Sequence, residues 1–167
     1  MILFSHKFIK YFLVSICLFF IDQISKILIV NNPILNSGDQ ISIINPILVL
    51  KKIENRGIAF GIDGNGDFSY IFTPLTIILT IAIIIYLYRT VSKNSKLVNL
   101  SLSLILGGAL GNLFDRIVSG KVVDFIDVHY LNWHWPTFNI ADSFIFIGVV
   151  LFLYNELFLI KGKKNEI

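Results

Sequence analysis

Three aspartates in the second half of the chain, Asp124, Asp127 and Asp142, are the side chains best placed to do chemistry. Asp142 lies in Phe138-Asn139-Ile140-Ala141-Asp142-Ser143. The other two lie in Gly120-Lys121-Val122-Val123-Asp124-Phe125-Ile126-Asp127, acids set in otherwise apolar surroundings. Two carboxyl groups held close together cannot both ionise easily, so one keeps a proton while the other can activate water. Such a pair supplies a general base for attack on a peptide carbonyl and a general acid towards the leaving amine, with no covalent intermediate. Asp142 is one natural member; composition alone leaves Asp124 and Asp127 both open as the other. Rival chemistries are poorly supplied. Ser143 lacks the glycine-flanked turn of a nucleophile elbow. Cys17 is the single cysteine and reads as a small buried hydrophobe in an apolar run, with no disulfide possible. His6, His129 and His134 show no metal-ligand spacing, so no metal and no cofactor is expected.

The elements that must hold these acids are membrane spans. Apolar residues make up 55% of the 167 residues and charged ones only 15%, too little charge for a soluble domain of this size. A bilayer core needs about 20 mainly apolar residues in a helix, and residues 8–30, 70–88, 97–114 and 140–160 qualify. Pro74 falls in the first turn of the second span, where its missing N–H costs nothing. The first span is too long, and too poor in small residues, to be a cleaved secretory leader.

The expectation is one integral membrane domain over residues 1–167, all-α with four transmembrane helices. Residues 31–69 and 115–139 are its extracytoplasmic segments. Ile41-Ser42-Ile43-Ile44 and Ile47-Leu48-Val49-Leu50, set among Pro33, Gly38, Pro46 and Gly57, read as short strands of a small sheet on the membrane. Tyr130, Trp133, Trp135 and Phe138 suit the headgroup zone. Lys7, Lys10, Arg89, Lys93, Lys96, Lys161, Lys163 and Lys164 sit at span ends, which places both termini in the cytoplasm. Those basic residues, and the net charge of +3, are thus topology signals, and no nucleic-acid partner is expected.

Depth then singles out the polar residues inside the spans, where an ionisable group is costly and usually functional. At about 1.5 Å per residue, Asp22 lies roughly 21 Å along the first span, past the midplane. Lys26 follows on the same face, in the favoured order for an i,i+4 ion pair. Gly107, Gly108 and Gly111 permit close helix approach in the third span. Asn112 and Arg116 share a face at its outer end, and Asp142 opens the fourth span at the same depth.

Together these blocks resemble bacterial lipoprotein signal peptidase (signal peptidase II): Asp22-Gln23 with Lys26, Glu54-Asn55-Arg56-Gly57-Ile58-Ala59-Phe60, Gly108 through Asn112 to Arg116, Val122-Val123-Asp124-Phe125 and Phe138 through Ser143. The resemblance runs in order over nearly the whole chain. It implies an aspartic endopeptidase of the bacterial cytoplasmic membrane, with its site at the outer face and a small β-cradle after the first span. Its substrates would be prolipoproteins, cut just before a diacylglyceryl-modified cysteine; membrane lipid is the other partner, and the chain reads as a monomer. Carried onto these positions, the resemblance makes Asp124 and Asp142 the catalytic pair. Asn55, Asn112, Arg116 and Asn139 become substrate-contacting positions, and Asp22, Lys26, Gly57 and Gly108 supporting ones. Two other readings carry less. Gly64-Asn65-Gly66-Asp67 spells a motif of intramembrane aspartyl proteases but sits in a glycine-rich turn. A small transporter would place its acids nearer the midplane.

Overall fold

The computed structural model describes residues 5–56, 69–93 and 95–159. Gly57, the Gly64–Asp67 motif and the lysines after 160 lie outside the described residues. In chain order the elements are helix α1 (His6–Val30), the short α2 (Pro33–Asn36), strands β1 (Ile41–Ile44) and β2 (Leu48–Asn55), helices α3 (Ser69–Thr90) and α4 (Lys96–Ser119), strands β3 (Val122–Tyr130) and β4 (Trp133–His134), and helix α5 (Ile140–Tyr154), prolonged by a π-helical turn at Asn155–Leu159. Among the described residues, four helices are long and apolar enough to cross a membrane.

The spans begin and end close to where hydropathy sets them, with one informative difference. The third was expected to stop at 114, but α4 continues to Ser119. Hydropathy falls at Asp115 and Arg116, yet the helix does not, because backbone hydrogen bonding is indifferent to side-chain polarity until a breaker arrives. Gly120 is that breaker: its φ of 70° gives the left-handed C-cap, with its N–H bonded to Arg116 O at 3.1 Å. Ser5 and Ser95 cap the starts of α1 and α4 by accepting from Phe8 N and Val98 N, each at 3.2 Å.

Helix α4 is the centre, packing against α1, α3 and α5. Most of its apolar window is buried in protein, while the other three helices keep most of theirs facing outward, as lipid-facing surfaces do. Glycines make this packing close. A Cβ on Gly107 would lie 2.7 Å from Leu18 Cβ of α1. On Gly108 it would strike the Ala141 carbonyl of α5, and on Gly111 the Asp22 carboxylate. Small residues thus let three helix backbones converge at one level. Cys17, expected to be buried, is exposed on the outward face of α1, because lipid accepts an apolar side chain as readily as a protein core does.

The strands form one antiparallel sheet in the order β1-β2-β3-β4. Residues 41–44 were expected as a strand and are one; β2 starts one residue later than its apolar run and continues through Lys51 and Lys52 to Asn55. No strand was expected over Val122–Tyr130, although the segment is rich in β-branched and aromatic residues. Its partner, β2, lies some seventy residues earlier in the chain, and the pairing aligns Ile53 with Asp124 and Val49 with Asp127. The register shifts between Leu50 and Ile53. Ile29, Leu35 and Phe125 form the apolar cluster that seats the sheet on the helix ends.

Candidate active site

Five elements deliver polar side chains to one place: α1, the end of β2, the last turns of α4, the start of β3 and the first turn of α5. Helix α5 begins with a capping box. Asn139 Oδ1 accepts from Asp142 N at 2.9 Å, and Asp142 Oδ2 accepts from Asn139 N at 3.1 Å. The same two side chains also reach across to other elements. Asn139 Nδ2 donates to Asp124 Oδ1 at 2.7 Å and to Asn112 Oδ1 at 3.1 Å. Asn112 Nδ2 donates to Asp142 Oδ1 at 2.7 Å, and Asn55 Nδ2 to Asp124 Oδ2 at 2.9 Å. Asp124 and Asp142 are therefore joined through Asn139 and Asn112, and each of their four carboxylate oxygens accepts one hydrogen bond.

The amide orientations in this chain are fixed by what surrounds them. Lys26 Nζ, which can only donate, contacts Asn112 Oδ1 at 3.1 Å, so the Asn112 amide nitrogen must turn towards Asp142. The backbone N–H of Asp142 likewise fixes Asn139 Oδ1, leaving its nitrogen for Asp124. Lys26 thereby sets the donor presented to Asp142 without touching it.

Lys26 also neutralises two buried acids. Its ammonium lies 2.8 Å from Asp22 Oδ2 and 2.7 Å from Asp115 Oδ2, and all three side chains are at most 9% exposed. Gln23 Nε2 closes the cluster, donating to Asp115 Oδ1 at 2.9 Å and Asp22 Oδ2 at 3.2 Å. Asp22 Oδ1 accepts from the Ala141 backbone N–H at 2.9 Å, so an acid of α1 satisfies an orphan donor at the N-terminus of α5, where the helix dipole favours negative charge. The cost of a charge in a membrane span is thus offset by contacts that tie α1, α4 and α5 together at the site.

Burial is the main reason that Asp124, 4% exposed, has its carboxyl pushed up from 3.8 to about 6. The neighbouring Asp142 charge adds to the rise, while the Asn55 and Asn139 hydrogen bonds oppose it. Arg116 donates to Asn112 O at 3.4 Å, and its guanidinium is close enough to Asp142, Asp124 and Asp115 to act on each electrostatically.

The structure brings together nine of the ten residues singled out by sequence; the tenth, Gly57, lies outside the described residues. Asp127, left open by composition, belongs elsewhere. It forms an ion pair with Lys51, and both its oxygens contact His134 Nδ1, at 3.0 and 3.1 Å. Burial pushes its carboxyl up, but Lys51 and His134 together outweigh this and hold it below the ordinary range. It lies three positions after Asp124, an odd offset that sends the two acids to opposite faces of β3. Asp115 and Gln23 were given no role in advance. The signal for Asp115 existed: with Asn112 and Arg116 it completes an i, i+3, i+4 polar face on α4.

Residues 14–158 match the family model described as signal peptidase (SPase) II. A lipoprotein signal peptidase of Polynucleobacter necessarius subsp. necessarius (strain STIR1) is 42% identical, over 97% of this chain and 98% of that protein. Two solved structures, each described as a bacterial membrane enzyme determined by the in meso method, superpose with TM-scores of 0.77 and 0.76. They are 32% and 34% identical and cover 95% and 89% of this chain, and 92% and 93% of their own chains.

Proposed function

The chain belongs to the signal peptidase II family, as a multi-pass bacterial membrane protease of lipoprotein processing, and we propose that it is an aspartic endopeptidase acting through Asp124 and Asp142. The observation that carries this reading is the hydrogen-bonded path from Asp124 through Asn139 and Asn112 to Asp142. It holds two carboxyl groups from different elements in a fixed relation.

The pair shares one proton. Its ionised member removes a proton from water as the oxygen attacks the scissile carbonyl. The protonated member then passes its proton to the leaving nitrogen as the C–N bond breaks. The raised value of Asp124 keeps that proton available about two units above an ordinary aspartate. Asn55, Asn112, Arg116 and Asn139 hold the extended substrate backbone and the dyad. Asp22, Lys26, Gly57 and Gly108 support them, with Asp115 and Gln23 added to that set.

The substrate is a prolipoprotein cut before its diacylglyceryl-modified cysteine. Acyl chains anchored in the outer leaflet bring the scissile bond to the interface, which is where the site lies if both termini face the cytoplasm. Residues 1–167 act as one domain in the bacterial cytoplasmic membrane. A gel-shift cleavage assay tests the whole reading. Lipidated prolipoprotein is cut by wild type, its unlipidated form is not, and Asp124→Asn and Asp142→Asn each abolish cleavage while keeping the fold. Cleavage surviving both substitutions would remove the dyad, and equal cleavage of the unlipidated form would remove the lipid requirement.

A further inference from the structure

On the face of β3 turned away from the dyad, Asp127, His129 and His134 form a separate cluster that the proposed chemistry does not use. We propose that it is a binding site for a divalent transition-metal ion of the Zn(II) class. The donor set is two imidazoles and one carboxylate, ligands suited to Zn(II) and to other borderline divalent ions. Strand geometry assembles it. Asp127 and His129 are two residues apart and so share a face, while His134 of β4 is aligned with His129 across the hairpin. One ligand atom from each lies within 4.8 Å of the others. Donors on one tetrahedral Zn(II), at about 2.0–2.1 Å from the ion, stand roughly 3.4 Å apart, so the most widely spaced pair has about 1.4 Å to close.

A second observation concerns His129. Its Nδ1 is buried and makes no hydrogen bond, and it points at Asp127 Oδ1 from 3.7 Å. A buried ring nitrogen aimed at a carboxylate without bonding to it is an unmet demand, which an ion held between the two would satisfy. The imidazoles are stacked, with centroids 4.8 Å apart, and both present Nδ1 to Asp127. His134 is half exposed, so an ion has a route in and solvent can complete its coordination. Lys51 is the competitor. Its ammonium sits on Asp127 Oδ2, but the side chain is 30% exposed and can swing into solvent when an ion takes the carboxylate.

Sequence spacing gave no hint of this site, because its geometry comes from strand register instead of a linear motif. It stands independently of the peptidase reading and has its own readout. Full-length protein without a histidine tag, in detergent, is titrated with Co(II) by visible absorption and with Zn(II) by competition. One equivalent of Co(II) should give ligand-field bands that Zn(II) abolishes. Loss of an outer-shell partner alone weakens a metal site by about 10–100-fold, so His129→Ala and His134→Ala should weaken binding by at least about a hundredfold. Lys51→Met keeps every donor and removes a repelling charge, and should tighten binding roughly tenfold. Asp124→Asn should leave it unchanged. Absence of a stoichiometric site in wild type, binding that survives both histidine substitutions, or no tightening in Lys51→Met would each overturn the proposal.

Discussion

The two ends of the helix bundle are held together by different means. At the end away from the sheet, Phe8, Leu87, Val91, Val98, Leu102 and Leu106 form an apolar core. The polar residues there are small and largely return their donors to helix carbonyls: Ser15 to Tyr11 O, Ser101 to Leu97 O, and Ser103 to both Asn99 O and Tyr11 O. At the sheet end, the same helices bury Asp22, Lys26, Asp115 and Asn112 in a charged network. One end uses short self-satisfying hydroxyls to pack backbones closely. The other carries charges made tolerable by contacts with one another, with Gln23 and with the N-terminus of α5. The difference is what the proposed chemistry at the sheet end, and packing alone at the far end, would require.

The sharpest way to break the sheet end is at the dyad. Asp124→Asn or Asp142→Asn should lower cleavage by at least about a thousandfold, with an unchanged circular dichroism spectrum; a well-folded variant retaining a tenth of wild-type activity would refute the assignment. Next comes Lys26→Met, which leaves two buried carboxylates without their cation. Removing one partner of such a network costs about 3–5 kcal/mol, read as a large fall in the melting temperature in detergent. It should also reduce cleavage in whatever folded fraction remains, because the Asn112 amide loses the donor that orients it.

A third test uses pH. The Asp124 carboxyl is raised from 3.8 to about 6 in the folded protein, so the folded state binds more protons between those values. Stability linked to this group is fully present below about pH 4 and is lost as pH rises through about 6. Asp124→Asn removes the dependence. Relative to wild type, the variant should gain up to about 3 kcal/mol between pH 4 and pH 8, whatever constant cost the new amide imposes. Thermal denaturation at several pH values measures the difference, and parallel curves would mean that Asp124 is not perturbed. The smallest effect belongs to the far end. Ser103→Ala deletes an interhelical bond of 2.9 Å to Tyr11 O, and such bonds average about 0.6 kcal/mol in membranes. A loss as large as that of Lys26→Met would erase the contrast between the two ends.

Much of the site was legible before the fold was known. Asp22 and Lys26 were paired by spacing alone, and the glycines of α4 marked the close approach of helices. The resemblance, in turn, chose Asp124 over Asp127. What stayed hidden was the strand that sets those two acids on opposite faces. The β3 segment carries its acids on alternate faces, and only pairing with β2 reveals which face meets α4 and α5. Asp115 was visible as a residue but not as a partner, since an acid beside an arginine at a helix end reads as a surface pair until the cation near the end of another helix is seen to reach it.

The sequence by itself determined the four spans, the expected side of the charged loops and the set of polar residues that a membrane protein would not keep without use. These follow from transfer free energies, which act residue by residue along the chain. Tertiary structure alone decided how those residues connect. It turned Asn112 and Asn139 into a fixed path between Asp124 and Asp142, made Lys26 the orienting donor, and sent Asp127 to the opposite face with two histidines. Hydrogen bonds are directional and short, so their partners are set by register and helix packing, which no local property of the chain encodes.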